Sequence, residues 1–72
     1  MLEEWLLVAE LSNGGYLPSY YFVPGEQKEA IDTFLDSNPD LEVERFVGWR
    51  WGMGYELAVA YDLAGNILHK YI

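Results

Sequence analysis

Cysteine is absent from this 72-residue chain, which excludes a disulfide framework, a thiol nucleophile and a thiolate zinc site. The absence fits a reducing compartment. Glu3 and Glu4 stand where a secretory signal would carry Lys or Arg, so the expected location is cytoplasmic. Basic residues are almost as scarce: Lys28, Arg45, Arg50 and Lys70 face twelve acidic residues, for a net charge of −8. A phosphate backbone or an anionic bilayer needs Lys and Arg to displace its counterions, so neither free nucleic acid nor a membrane surface is an expected partner. The longest wholly apolar run, Trp5 to Ala9, is far too short to cross a bilayer.

Histidine occurs once, as His69, and no Ser or Cys nucleophile motif accompanies it, so a catalytic triad is excluded. Gly48-Trp49-Arg50-Trp51-Gly52-Met53-Gly54-Tyr55 has the glycines of a phosphate-cradling loop. It lacks the Lys-Ser/Thr ending and the spacing of a nucleotide fingerprint. Asp36 to Glu42 offers oxygen ligands at alternate positions, like the first half of a calcium loop, but Leu41 stands where that loop needs Gly and Val47 where it needs the bidentate Glu. A helix end followed by a polar loop explains the same residues. The expectation is a non-enzyme with no cofactor and no metal.

What the chain does have is apolar and aromatic mass: 51% hydrophobic residues and 17% aromatic, with three Trp, six Tyr and three Phe. This is too hydrophobic for a disordered segment and enough for one small domain spanning residues 1–72. The aromatics are expected to form its core.

Glu4 to Leu11 is apolar on both alternating faces and reads as a strand covered on both sides, although a helix would also accommodate it. Ser12-Asn13-Gly14-Gly15 then supplies a hairpin turn and Tyr16 to Val23 the returning strand, with Pro18 pointing to an edge or bulge. Pro24-Gly25-Glu26 reads as a helix start, and Asn38-Pro39 as its end. Over Gly25 to Ser37, Ala30, Ile31, Phe34 and Leu35 make one apolar stripe, and Glu26, Glu29, Asp32 and Asp36 share the opposite arc.

Leu41 to Trp51 reads as a third strand, with Leu41, Val43, Val47, Trp49 and Trp51 on one face and Glu42, Glu44, Phe46 and Arg50 on the other. Arg45 interrupts the apolar face and is expected to snorkel or to pair with an acid. Gly52-Met53-Gly54 is a turn, Tyr55 to Asp62 a fourth strand, Leu63-Ala64-Gly65-Asn66 a turn and Ile67 to Ile72 a fifth strand. The order ββαβββ implies an α+β fold: a mainly antiparallel sheet with one amphipathic helix packed on one face.

Two function classes follow. The first is a small acidic protein-binding domain that engages a basic protein, for instance a nucleic-acid-handling one, as an inhibitor, antitoxin or immunity factor or a phage-like mimic of nucleic acid. Only Lys28 dilutes the acids of the helix, where paired signs are usual. Its candidate contact residues are Glu26, Glu29, Asp32, Asp36 and Asp40, together with Arg50 and Trp51, because Trp and Arg dominate binding hot spots. Trp49 is instead expected to close the core under the helix. The second class is a structural or assembly subunit that self-associates, as a homodimer for example, through an aromatic patch or a sheet edge.

Overall fold

Alternating apolar side chains, broken by glycine, proline and asparagine, divide the described residues into short strands around one helix. The computed structural model describes residues 2–51 and 58–71, with Trp51 described by its backbone. Strand β1 (Glu3–Leu11) turns into β2 (Tyr16–Val23), helix α1 (Gln27–Ser37) follows, and then come β3 (Val43–Trp51), β4 (Ala58–Tyr61) and β5 (Ile67–Lys70). All neighbours pair antiparallel in a single sheet of order β2-β1-β3-β4-β5. An antiparallel sheet with one helix, the α+β class, is the architecture that the strand and helix signals implied. The expected turn at Gly52-Met53-Gly54 and the start of the fourth strand at Tyr55 lie outside the described residues.

The turns are set by local chemistry. Between β1 and β2, Leu11 N–H donates to Gly15 O at 2.8 Å, Gly15 N–H donates to Asn13 Oδ1 at 2.8 Å, and Gly14 takes the positive φ of 89°. The glycine carries the left-handed geometry here and Asn13 closes the turn with its side chain. Glu26 holds extended backbone at ψ −171°, so α1 begins at Gln27 and not at Gly25. At the other end, both the backbone N–H and the Nδ2 of Asn38 donate to Phe34 O, at 3.0 and 2.9 Å. The carbonyl that the ending helix would orphan is thereby satisfied.

The helix lies across β1, β2 and β3. Ala30, Ile31 and Phe34 are fully buried against Trp5, Leu7 and Ala9 of β1, Val23 of β2, Phe46 of β3, and Val59 and Tyr61 of β4. Phe34 meets Phe46 edge to face, with centroids 5.3 Å apart at 80°, the arrangement that ring quadrupoles favour. Gly48 belongs to this core. A Cβ there would stand 3.0 Å from Tyr61 Cε2 and 3.6 Å from Trp5 Cε3, so the bare backbone is what lets the Tyr61 ring approach β3.

Three expectations are corrected. Phe46 is a core residue and not a member of the outer face with Glu42 and Glu44, because the β1–β3 register shifts between Glu10 and Leu11. Val43 pairs with Leu11 but Arg45 pairs with Glu10, so Glu44 is an extra residue and the alternation inverts across it. For the same reason Val47 and Trp49 lie on the face away from α1, and Trp49 does not close the core under the helix. Finally, β1 is covered on one side only. Trp5, Leu7 and Ala9 are buried, whereas Leu6 and Val8 are half-exposed.

Candidate functional site

The register defines what the helix leaves uncovered. Paired residues of antiparallel strands share a face, which places Leu6 with Tyr20 and Trp49, and Val8 with Pro18 and Val47. Phe22 lies opposite Glu4, and Val47 and Trp49 continue to Ala60 and Ala58 of β4. Together these make an apolar surface across the sheet. Tyr16, Tyr20 and Phe22 are 68%, 66% and 64% exposed. The expectation that the aromatics form the core therefore fails for these three and for Tyr71, which is 52% exposed.

At the middle of this face Val8, Val47, Trp49 and Ala58 floor a shallow groove of about 300 Å³, with Glu10, Tyr16 and Tyr71 at its margin. Tyr71 is held there by its N–H, which donates to Ala58 O at 2.9 Å, and by an edge-to-face contact with His69 at 4.8 Å. The acid partner expected for Arg45 is Glu10: Nε donates to Oε1 at 3.0 Å, across the β1–β3 pair. That bond and the Glu10 charge hold the guanidinium pKa above its ordinary value. The groove margin thus carries a matched pair and no net charge from it.

The acids of the candidate site sit elsewhere. Glu26, Glu29, Asp32 and Asp36 are exposed on or beside α1, and Asp40 is exposed beyond its end. Lys28 bridges Asp32 at 2.9 Å one helical turn away, and both are exposed, so the pair contributes little to stability. Arg50 lies on the helix side of β3, opposite Trp5, with Nε 3.8 Å from Glu3 Oε2. It is not part of the aromatic face. Trp51 pairs with Glu4 by backbone register, and its side chain lies outside the described residues.

Asp36 to Glu42, the half-loop with calcium-like spacing, is occupied otherwise. Asn38 caps the helix, while Ser12 Oγ donates to Glu42 O at 3.0 Å and to its Oε2 at 3.2 Å, tying the β1–β2 hairpin to the segment leading into β3. A polar hollow of about 480 Å³ lies between these segments, lined by Leu11, Ser12, Asn13, Asp40, Leu41 and Glu42. Among the described residues, no group of three or more His, Cys, Asp or Glu side chains is placed to share a metal ion. No described helix is long and apolar enough to cross a membrane.

Sequence reasoning thus proposed an aromatic patch as one of two surfaces but did not say which aromatics compose it. The signal was present in β1, whose inner and outer faces are both apolar although one helix occurs among the described residues. Such a strand needs a second cover, and nothing in α1 can provide it. No family model, curated protein or solved structure matches the chain.

Proposed function

We propose that this chain is a non-catalytic, protein-binding assembly domain that docks through the aromatic face of its sheet. The observation that carries this reading is the pairing of Leu6, Val8, Val47 and Trp49, all half-buried, with the exposed Tyr20 and Phe22 on a face that α1 does not reach. The apolar stripe of the helix covers one side of the sheet and leaves this one to a partner. Apolar residues exposed contiguously, rather than scattered singly, mark interaction surfaces. Burying one Phe or Tyr side chain contributes about 1.5–3 kcal/mol, against roughly 0–1 kcal/mol for an exposed ion pair. The sheet face is therefore the anchor, and the acids of the helix lie outside the contact. The setting proposed for this association is the cytoplasm.

A photo-reactive side chain placed at Tyr20 is expected to crosslink to a protein in lysate of the source cell, and one placed at Asp36 is not. The reverse pattern would remove this reading. It would favour the second one, in which the acidic arc binds a basic protein as an inhibitor, antitoxin or immunity factor or nucleic-acid mimic. What supports that alternative is the exposure of Glu26, Glu29 and Asp36 on a helix whose one cation, Lys28, is engaged by Asp32. It predicts association that weakens steeply as salt rises.

A further inference from the structure

We propose that the partner on the sheet face is a second copy of this chain, the two sheets stacked face to face about a two-fold axis with the helices outermost. The proposal rests on the sheet-face reading above and adds the identity of the occupant.

Charge is the first argument, because a chain of net charge −8 should repel its own copy. The face escapes this. By register the charged residues of this face, among the described residues, are Glu4 and the Glu10–Arg45 pair, so a basic partner would find little there to neutralise. Packed sheets lie about 10 Å apart, and each helix adds roughly another 10 Å outward. The acids of the two α1 helices would then be separated by about 30 Å, more than three Debye lengths at physiological salt. Any arrangement that brought the helix sides together would oppose Glu29 and Asp36 to their own copies.

Area is the second argument. Five strands at about 4.8 Å spacing and about seven residues each give a footprint of roughly 550 Å² per copy. The pair would bury on the order of 1,100 Å², at the lower end for specific association and consistent with micromolar dissociation.

Shape is the third. A two-fold axis running along the strands lays β3 over β3 and carries β2 of one copy over β5 of the other, so the protruding Tyr20 and Phe22 at one margin meet the opposite margin, where Tyr71 stands beside the central groove. Each such contact is made twice, as an isologous interface requires. The edges offer less. Pro18 leaves a missing donor in β2, and β5 is four residues long with Lys70 at its end, both devices that discourage edge pairing.

The test is sedimentation of the full chain from about 1 μM to about 1 mM, the span over which a micromolar pair should assemble. The expected result is a mass that doubles with concentration and an association that holds level or tightens, and does not weaken, as salt rises. Tyr20→Ser and Phe22→Ser, both at exposed positions, are each expected to weaken association by about tenfold or more. Glu29→Gln with Asp36→Gln is expected to leave it within about twofold or to strengthen it. Thermal melting followed by circular dichroism confirms that each variant is folded, and either serine variant suffices. A wild-type chain that stays monomeric at the highest concentration overturns the second copy, as does a dimer indifferent to both serine substitutions. Crosslinking at Tyr20 then separates the two levels: capture of a different protein leaves the sheet-face reading standing, and capture of nothing overturns that as well.

Discussion

A methyl group at Gly48 would stand 3.0 Å from Tyr61 Cε2, close enough to push the ring aside, and in ordinary contact with Leu7 Cδ1 at 3.5 Å. Gly48→Ala is therefore expected to destabilise the fold by about 1–3 kcal/mol, the usual cost of overpacking a core, as read from urea denaturation. Gly48 falls within the strand that the sequence places over Leu41 to Trp51, and its role there is clearance for a neighbour. Burial pushes the Tyr61 phenol pKa above its ordinary 10.0, so Tyr61 stays neutral across the physiological range. Asp62 is the contrasting case. Its Oδ1 accepts the N–H groups of Ala64 and Asn66 at 3.0 and 2.8 Å, and its Oδ2 accepts Asn66 Nδ2 at 3.1 Å. Those bonds, led by the backbone N–H of Asn66, hold its carboxyl pKa below the ordinary 3.8. A depressed carboxyl stabilises the fold above its unfolded-state value and loses that contribution as pH falls through the lower, folded one. Asp62→Ala should thus lower Tm near neutrality, and the gap to the parent should close as pH drops below 3.8; a gap independent of pH would contradict the assignment.

At the scale of elements, α1 is buried along one face but has no side-chain hydrogen bond at its N-cap. Glu26 occupies the N-cap without a side-chain hydrogen bond to the helix, a position where Asp or Ser ordinarily satisfies an orphan N–H. Glu26→Asp, which keeps the charge, is expected to raise stability by about 0.5–1 kcal/mol, seen as a higher denaturation midpoint. Phe34 is fully buried against Phe46, and Phe34→Ala should cost about 3–5 kcal/mol. A domain of this size has little more than that to lose, so the variant should be largely unfolded by circular dichroism. The helix, the β1–β2 hairpin and the antiparallel class were legible because their signals are local: Asn38-Pro39 stops a helix, and Asn13-Gly14 turns a strand. The phase of β3 was not legible. One extra residue at Glu44 reverses which side chains face α1 beyond it, and no period-two count can detect an insertion that only the partner strand defines. The coverage of β1 was misread for a related reason, since apolar alternation reports which faces avoid water and not what covers them.

For the whole molecule, charge and apolar surface are segregated. Most described carboxylates lie on α1, beside it or in the loops, and the described residues on the uncovered side of the sheet are mostly apolar or aromatic. With twelve acids against four bases, self-repulsion opposes the compact state, and added salt screens it. Tm is expected to rise between about 0.02 and 0.5 M NaCl at neutral pH, the opposite of what a fold dependent on its surface ion pairs would show. This acidic excess was evident in the sequence and drew attention to the helix. The aromatic face needed the register, because Tyr20, Phe22, Trp49 and Tyr71 come from separate strands and only pairing brings them together.

Two indoles on opposite sides of one sheet make the chain its own optical gauge. Trp5 is 5% exposed, and its Nε1 is buried with no hydrogen-bond partner among the described residues, whereas Trp49 lies half-exposed on the floor of the groove. In a Trp51→Phe background, iodide should quench the Trp49 emission and spare the bluer Trp5 emission. Whatever comes to rest on the sheet should shield the first without disturbing the second.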